Sequence, residues 1–227
     1  MTAALDDLTG ALDELDAIFG YLEPLAAQFA AVAADPSLAR RALHPLRPVI
    51  QDLLEQHRGW LAGAGVICAP GLLRDVRHWM DWWFTGPDGT PNPLRVNLDE
   101  QSVEFFDYTE ADWYAVPMRT GRAFAAGPYV DYLCTNEYSL TLAVPVRAGD
   151  TLVGVAAADI LVATVEGHVI APLRAVSPQA VLCTPAGRVV ASATPEHAPG
   201  ERIDLATAAA SSLPRTSPDA TRWLLLR

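Results

Sequence analysis

Cysteine is scarce: Cys68, Cys134 and Cys183 are odd in number and widely separated in a chain of 227 residues. That pattern offers neither a disulfide framework nor the paired thiols of a structural zinc site. Long apolar runs are missing as well, since no window holds the roughly 20 apolar residues needed to span a bilayer. The opening "MTAALDDLTGALDEL" lacks the basic start and apolar core of a secretion signal. Positive charge is short, with 16 Lys and Arg against 27 Asp and Glu and a formal net charge of −11. Phosphate backbones and anionic lipid repel such a chain, so neither nucleic acid nor a membrane is expected as a partner. The one cationic run, "RRALHPLR" at 40–47, reads as the solvated face of a helix. His44, His57, His78, His168 and His197 are scattered without metal-protease spacing, and no Gly-rich phosphate loop or nucleophile elbow is present. No catalytic residue, metal or cofactor is therefore expected, and the few thiols point to a reducing cytoplasm.

Apolar material is plentiful at 51% of residues against 19% charged, which suffices for a packed core. Residues 3–33 carry Leu5, Leu8, Leu12, Leu15, Phe19, Leu22, Ala26 and Phe29 at alternating spacings of three and four, one stripe of an amphipathic helix. Pro24 is expected to kink or interrupt it. A seam this regular fits a second copy of the chain, giving a homodimer, or the chain's own sheet or next helix. "ADPSLARR" restarts a helix with Asp35 as cap and Pro36 at its first position, and Pro45 and Pro48 break it. "RPVIQDLLEQHRGW" is a further helix ended by Gly59, which closes a helical front section at residue 59.

The texture then changes. "WLAGAGVICAPG" and "RHWMDWWF" read as strands, "TGPDGTPNP" as a long turn and "LRVNLD" as a third extended piece. A short helix is predicted from Ala111 to Thr120, ended by Gly121. Three strands follow within "RAFAAGPYVDYL", "EYSLTLAVPVRA" and "DTLVGVAAADIL", the last two joined by the hairpin signal "RAGD". Such tight connections make the sheet antiparallel. "ILVATVEGHVIAPLRAV" reads as a helix that Asp159 could cap, "QAVLCTPAGRVVASATP" as a second hairpin, and the following Ala/Ser/Thr/Pro-rich tail as loop. "WLLLR" would add an edge strand.

Chemistry concentrates in the middle of the chain. Tyr129 and Asp131 are two apart on one strand and share a face. Asp159 shares its face with Val153, Val155 and Ala157. A carboxylate on an apolar face needs a partner or costs several kcal/mol. A ligand cation is one solution; for Asp159 helix capping is another, and for Asp131 an exposed position in a turn. Trp113 and Tyr114 fit a pocket wall or the plain core. Cys134 reads as a small buried thiol.

"FDYTEADWYAVPMRTGRAFAAGPYVDY" followed by "LTLAVPVRAGDTLVGVAAADI" resembles the ligand-binding half of Cache (PDC-type) sensor domains. The resemblance covers residues 60–165 and is most specific between 106 and 160. It implies an α+β fold: a helical N-terminal section, 1–59, then a PAS-like antiparallel sheet in a ligand-binding lobe, 60–176. Residues 177–227 resemble the opening hairpin of a second, incomplete lobe. It further implies a small-molecule pocket lined by Phe106, Tyr108, Trp113, Tyr114, Tyr129, Asp131 and Asp159. The Arg that grips the carboxylate of amino-acid ligands in that family falls at Ala111, between Glu110 and Asp112, and the family's leading Tyr falls at Phe106. Without that bidentate clamp, two acids and the aromatics suit an amine or another small cationic metabolite. Family members usually sit outside the membrane on transmembrane helices, which this chain does not show. Output would then pass through a separate regulator protein or a rearranged dimer. A non-binding scaffold and an enzyme are the competing readings.

Overall fold

The computed structural model describes residues 2–133, 136–206, 210–212 and 223–226. Cys134 and the tail at 207–209 and 213–222 lie outside the described residues. Helix α1 (Thr2–Ala33) is followed by a 3₁₀ turn at Arg40–Leu43 and by α2 (Leu46–Gln56). Strands β1 (Gly63–Cys68), β2 (Met80–Thr85) and β3 (Pro91–Pro93) come next. A second 3₁₀ turn (Tyr108–Glu110) leads into α3 (Asp112–Thr120), then β4 (Phe124–Val130), β5 (Tyr138–Ala148) and β6 (Thr151–Leu161). Helix α4 (Val162–Val176) precedes β7 (Val181–Cys183), β8 (Val189–Ser192), β9 (Ala210–Ser212) and β10 (Leu224–Leu226).

The main sheet is antiparallel with strand order β3-β2-β1-β6-β5-β4. β1 lies at its centre, so the first and last strands of the sheet are neighbours. β1 is buried along its whole length and β6 from Val153 to Ile160, which is why both read as nearly continuous apolar runs. The fold class is the expected α+β.

Several local expectations are corrected. α1 runs through Pro24 unbroken. The carbonyl that this proline leaves without a donor belongs to Gly20, which is exposed and has no side chain to crowd the ring. Asp35 caps a turn, not a helix: its Oδ1 accepts from the backbone N–H of Ser37 at 2.8 Å and its hydroxyl at 2.7 Å. Pro48 is tolerated in the first turn of α2, where its absent N–H has no helical partner to lose. The third extended piece is Pro91–Pro93 and not 94–99, because Gly86 and Gly89 close a tight turn with Gly86 N–H donating to Thr90 O.

Contacts divide the chain into two compact units, each contributed by separate segments. The first comprises Met1–Ile18, Ala125–Leu140 and Ile160–Arg227. In it α4 packs on β8, and the small sheet has the order β8-β7-β10-β9 around Val181, Cys183, Val189 and Leu226. β10 is thus an interior strand instead of the expected edge, bonded to β7 on one side and β9 on the other. Trp223 beside it donates its Nε1–H to Asp16 at 3.3 Å.

The second unit comprises Phe19–Phe124 and Thr141–Asp159. Leu22, Leu25 and Phe29 are at most 1% exposed, as Leu8, Leu12 and Leu15 in the first unit are at most 3%. The stripe of α1 is therefore covered within the chain's own units. Leu22→Ala is expected to cost about 3 kcal/mol by the usual cavity penalty. A lower urea midpoint with unchanged slope is the reading that checks it.

Candidate functional site

The second unit carries the sheet face on which Asp159 sits. Residues directly opposite in an antiparallel pair project to the same side. Gly63 pairs with Asp159 and Phe84, Gly65 with Ala157 and Trp82, and Ile67 with Val155 and Met80. This face is therefore low in relief at its centre, with glycine and alanine beside a carboxylate. The indole of Trp82 lies over both glycines: a Cβ on Gly63 would stand 2.9 Å from its Nε1, and one on Gly65 would meet the Asp81 carbonyl. Glycine is required at these positions by close approach.

Asp159 is 6% exposed and lies inside β6. Its Oδ1 accepts a 2.6 Å hydrogen bond from the Thr141 hydroxyl of β5, itself buried. The capping expectation fails here: α4 begins after Leu161, which caps without a side-chain bond. β6 remains extended for two residues past Asp159, so the carboxylate stays on the sheet. Thr141 was missed in the sequence. Its signal was a hydroxyl at the centre of "SLTLAVPV", where a polar residue stands among apolar neighbours.

The aromatic residues before β4 form a ring cluster. Tyr108 is fully buried, and its ring meets Tyr114 edge-on at 5.1 Å and His78 at 5.6 Å. Trp113 meets Tyr114 edge-on at 6.4 Å, and Phe105 meets His78 at 5.2 Å. Phe106 is half-buried, with its N–H bonded to Asn97 O; its neighbour Phe105 carries the ring contact. The Tyr108 hydroxyl donates to Cys68 O at 2.8 Å and accepts from Trp79 N–H at 3.3 Å, which fixes the 3₁₀ turn against the end of β1. Burial pushes the Tyr114 phenol up to about 12 and that of Tyr108 further still, so both stay neutral donors. Asp107 holds the entry to the turn by accepting from Thr109 N–H at 2.9 Å. Ala111 precedes α3, and Gly121 ends it with φ 65°.

Tyr129 and Asp131 belong to the first unit. β4 ends at Val130, so Asp131 opens the turn that follows instead of lying on the strand. The alternative of an exposed turn residue fails as well, because Asp131 is 7% exposed. Its N–H donates to Glu137 O at 2.9 Å, and its Oδ1 accepts from Leu133 N–H at 3.1 Å. Trp82 is 5% exposed, and Trp83 is half-buried with its indole donating to Asp81 at 3.1 Å. Among the described residues no helix is long and apolar enough to cross a membrane, and no group of three or more His, Cys, Asp or Glu could hold a metal.

No protein-family model and no curated protein matches the sequence. Solved structures do match the fold. A methyl-accepting chemotaxis protein X superposes with a TM-score of 0.63 at 18% identity, covering 99% of this chain and 97% of that one. The ligand-binding domain of the Pseudomonas aeruginosa amino-acid chemoreceptor PctB, in complex with L-Arg, gives 0.60 at 15% identity, over 97% and 89% of the two chains. That of a Campylobacter jejuni chemoreceptor, in complex with 4-methylisoleucine, gives 0.61 at 12%, over 86% and 69%. The chain has the fold of Cache-type sensor domains. Within that Cache fold the expected antiparallel sheet is in place.

Proposed function

We propose that this Cache-fold protein is a small-molecule sensor that binds an amine or another small cationic metabolite through the carboxylate of Asp159. The observation that carries the reading is the placement of that carboxylate. It is buried on a sheet face of Gly63, Gly65, Ala157 and Val155, with one oxygen oriented by Thr141. A carboxylate has two oxygens and several lone pairs, so it can accept from more than one donor at once, an ammonium group among them. Tyr108, Trp113 and Tyr114 form a neutral aromatic cluster at the Cys68 end of β1, and rings of this kind attract cations. The L-Arg complex of a chemoreceptor with the same fold supports a ligand bearing cationic nitrogen.

Ala111 shapes the choice of ligand. With no guanidinium at this position there is no bidentate grip for a carboxylate, which favours an amine over a free amino acid. Output would pass through a separate regulator protein or a second copy of the chain. The cytoplasmic setting belongs to the same proposal and draws on the free, buried thiols of Cys68 and Cys183.

A thermal-shift screen of amines, amino acids, organic acids and purines tests the proposal. An amine at about 100 times its Kd should add about 2.7 kcal/mol. That is a rise in Tm of about 5 to 10 °C for a chain of this size. Mass spectrometry should recover the ligand unchanged. Stabilisation by organic acids alone, or conversion of the ligand, would sink the reading. In the same screen Ala111→Arg is expected to shift preference towards carboxylate-bearing amines by about tenfold, the worth of one good charge-assisted contact. An unaltered ranking would show that position 111 does not face the ligand.

A further inference from the structure

The chain contains no lysine, so its 16 cationic side chains are all arginine. Four of them, Arg40, Arg41, Arg47 and Arg74, line one cleft of about 380 Å³ together with Ala39, His44, Asp75 and Trp79, all in the second unit. The run at 40–47 is solvated as expected, with Arg40, Arg41 and His44 exposed, but it is divided between a 3₁₀ turn and the start of α2. The 3₁₀ turn carries Arg40 and Arg41, the start of α2 carries Arg47, and the β1–β2 connection brings Arg74 opposite them.

Two of these guanidinium groups are preset. Arg40 donates through Nε to Asp75 at 3.0 Å and lies over the Trp79 ring, 5.1 Å from its centroid. Arg47 donates through Nε to the buried Asp81 at 2.9 Å. Among the described residues neither spends an Nη hydrogen on protein. Arg41, Arg74 and His44 make no side-chain hydrogen bond or ion pair there, and only Asp35, already engaged by Ser37, acts on Arg74 through its charge. Against four arginines, the acids on the cleft and behind it are Asp75, Asp81 and Asp35, so a net positive charge remains in a chain of formal charge −11. Concentrating like charges is unfavourable unless something binds them. The protein's overall negative field repels large polyanions, while a cleft of this size admits a small molecule.

We propose that this cleft is a second ligand site, separate from Asp159, for a small anion bearing two or more carboxylate or phosphate groups. The fixed Nη edges of Arg40 and Arg47 supply planar, forked donors, and Arg41 and Arg74 close on the ligand from the two rims. Trp79 lines the cleft beside Arg40.

Isothermal titration of the full chain with citrate in one arm and pyrophosphate in the other tests the site and separates its two chemistries. Binding in at least one arm is expected, and it should weaken as salt is raised. The double substitution Arg41→Gln with Arg74→Gln removes no side-chain hydrogen bond or ion pair among the described residues. It is expected to lower affinity by at least about fivefold, a modest figure suited to exposed charges. Arg95→Gln, exposed and elsewhere, should leave affinity unchanged. Absence of heat in both arms, or equal affinity in the double variant and the parent, would overturn the proposal. Neither result bears on amine binding at Asp159, which the thermal-shift screen reads separately.

Discussion

Asp159→Asn is expected to weaken amine binding by about 30- to 100-fold, the worth of about 2 to 3 kcal/mol for a hydrogen bond to a charged group. Its unfolding midpoint should stay close to the parent's. Asparagine keeps a carbonyl oxygen where Oδ1 stands, so the 2.6 Å bond from Thr141 survives while the negative charge is lost. The isosteric change thereby separates electrostatic attraction from packing. Asp159→Leu does more, since it removes the acceptor of the 2.6 Å bond from the buried Thr141 hydroxyl and should lower both affinity and midpoint. Calorimetric titration alongside far-UV circular dichroism distinguishes the two variants. Affinity that is the same in Asp159→Asn and in the parent would remove the carboxylate from the site.

Gly154→Val should be the most damaging single change in the second unit. Gly154 has φ 150°, a conformation that side chains rarely adopt, and it lies opposite Cys68 in the β1–β6 ladder. A Cβ there would run into the carbonyl oxygen of Ile67 and stand 3.0 Å from the ring of Phe29. The first obstacle is backbone in a central strand, which cannot step aside without breaking the ladder. Strain of about 1 to 3 kcal/mol adds to an overpacking cost of similar size. Together these come to about 2 to 6 kcal/mol, the lower end of the whole stability of an ordinary domain at about 5 to 15 kcal/mol. Loss of soluble protein, or a guanidinium midpoint reduced by about half, is the expected outcome. Gly154→Ala should be milder but still clearly destabilised. A variant as stable as the parent would mean that β6 relaxes at this point more easily than its pairing suggests.

Much of this architecture was legible because the signals were local. The three- and four-residue spacing of Leu8 to Phe29 marked α1, "RAGD" marked the β5–β6 hairpin, and Gly121 marked the end of α3. What escaped depended on pairing at a distance. Asp159 looked like a cap because a helix follows it, yet two further ladder residues keep it in the strand. "WLLLR" looked like an edge because nothing in five residues announces β9 on its far side. Thr141 acquires meaning only once β5 lies beside β6. The arginines of the cleft come from two separate segments, and only the first, at 40–47, was visible as a cluster. Phe106 drew attention through its register in the motif, whereas the backbone turn at Asp107 gives the ring contact to Phe105.

The hydroxyl of Tyr108 grips both ends of the excursion between β1 and β2, at Cys68 and at Trp79. One side chain thus ties the aromatic cluster to a loop whose far end, Trp79, also lines the arginine cleft. Any guest that shifts the 69–79 segment must work against that knot, and so must any guest that displaces Tyr114. Were two such guests coupled through this segment, reciprocity would make the factor the same in either direction. Tyr108 is where that conversation would be cut.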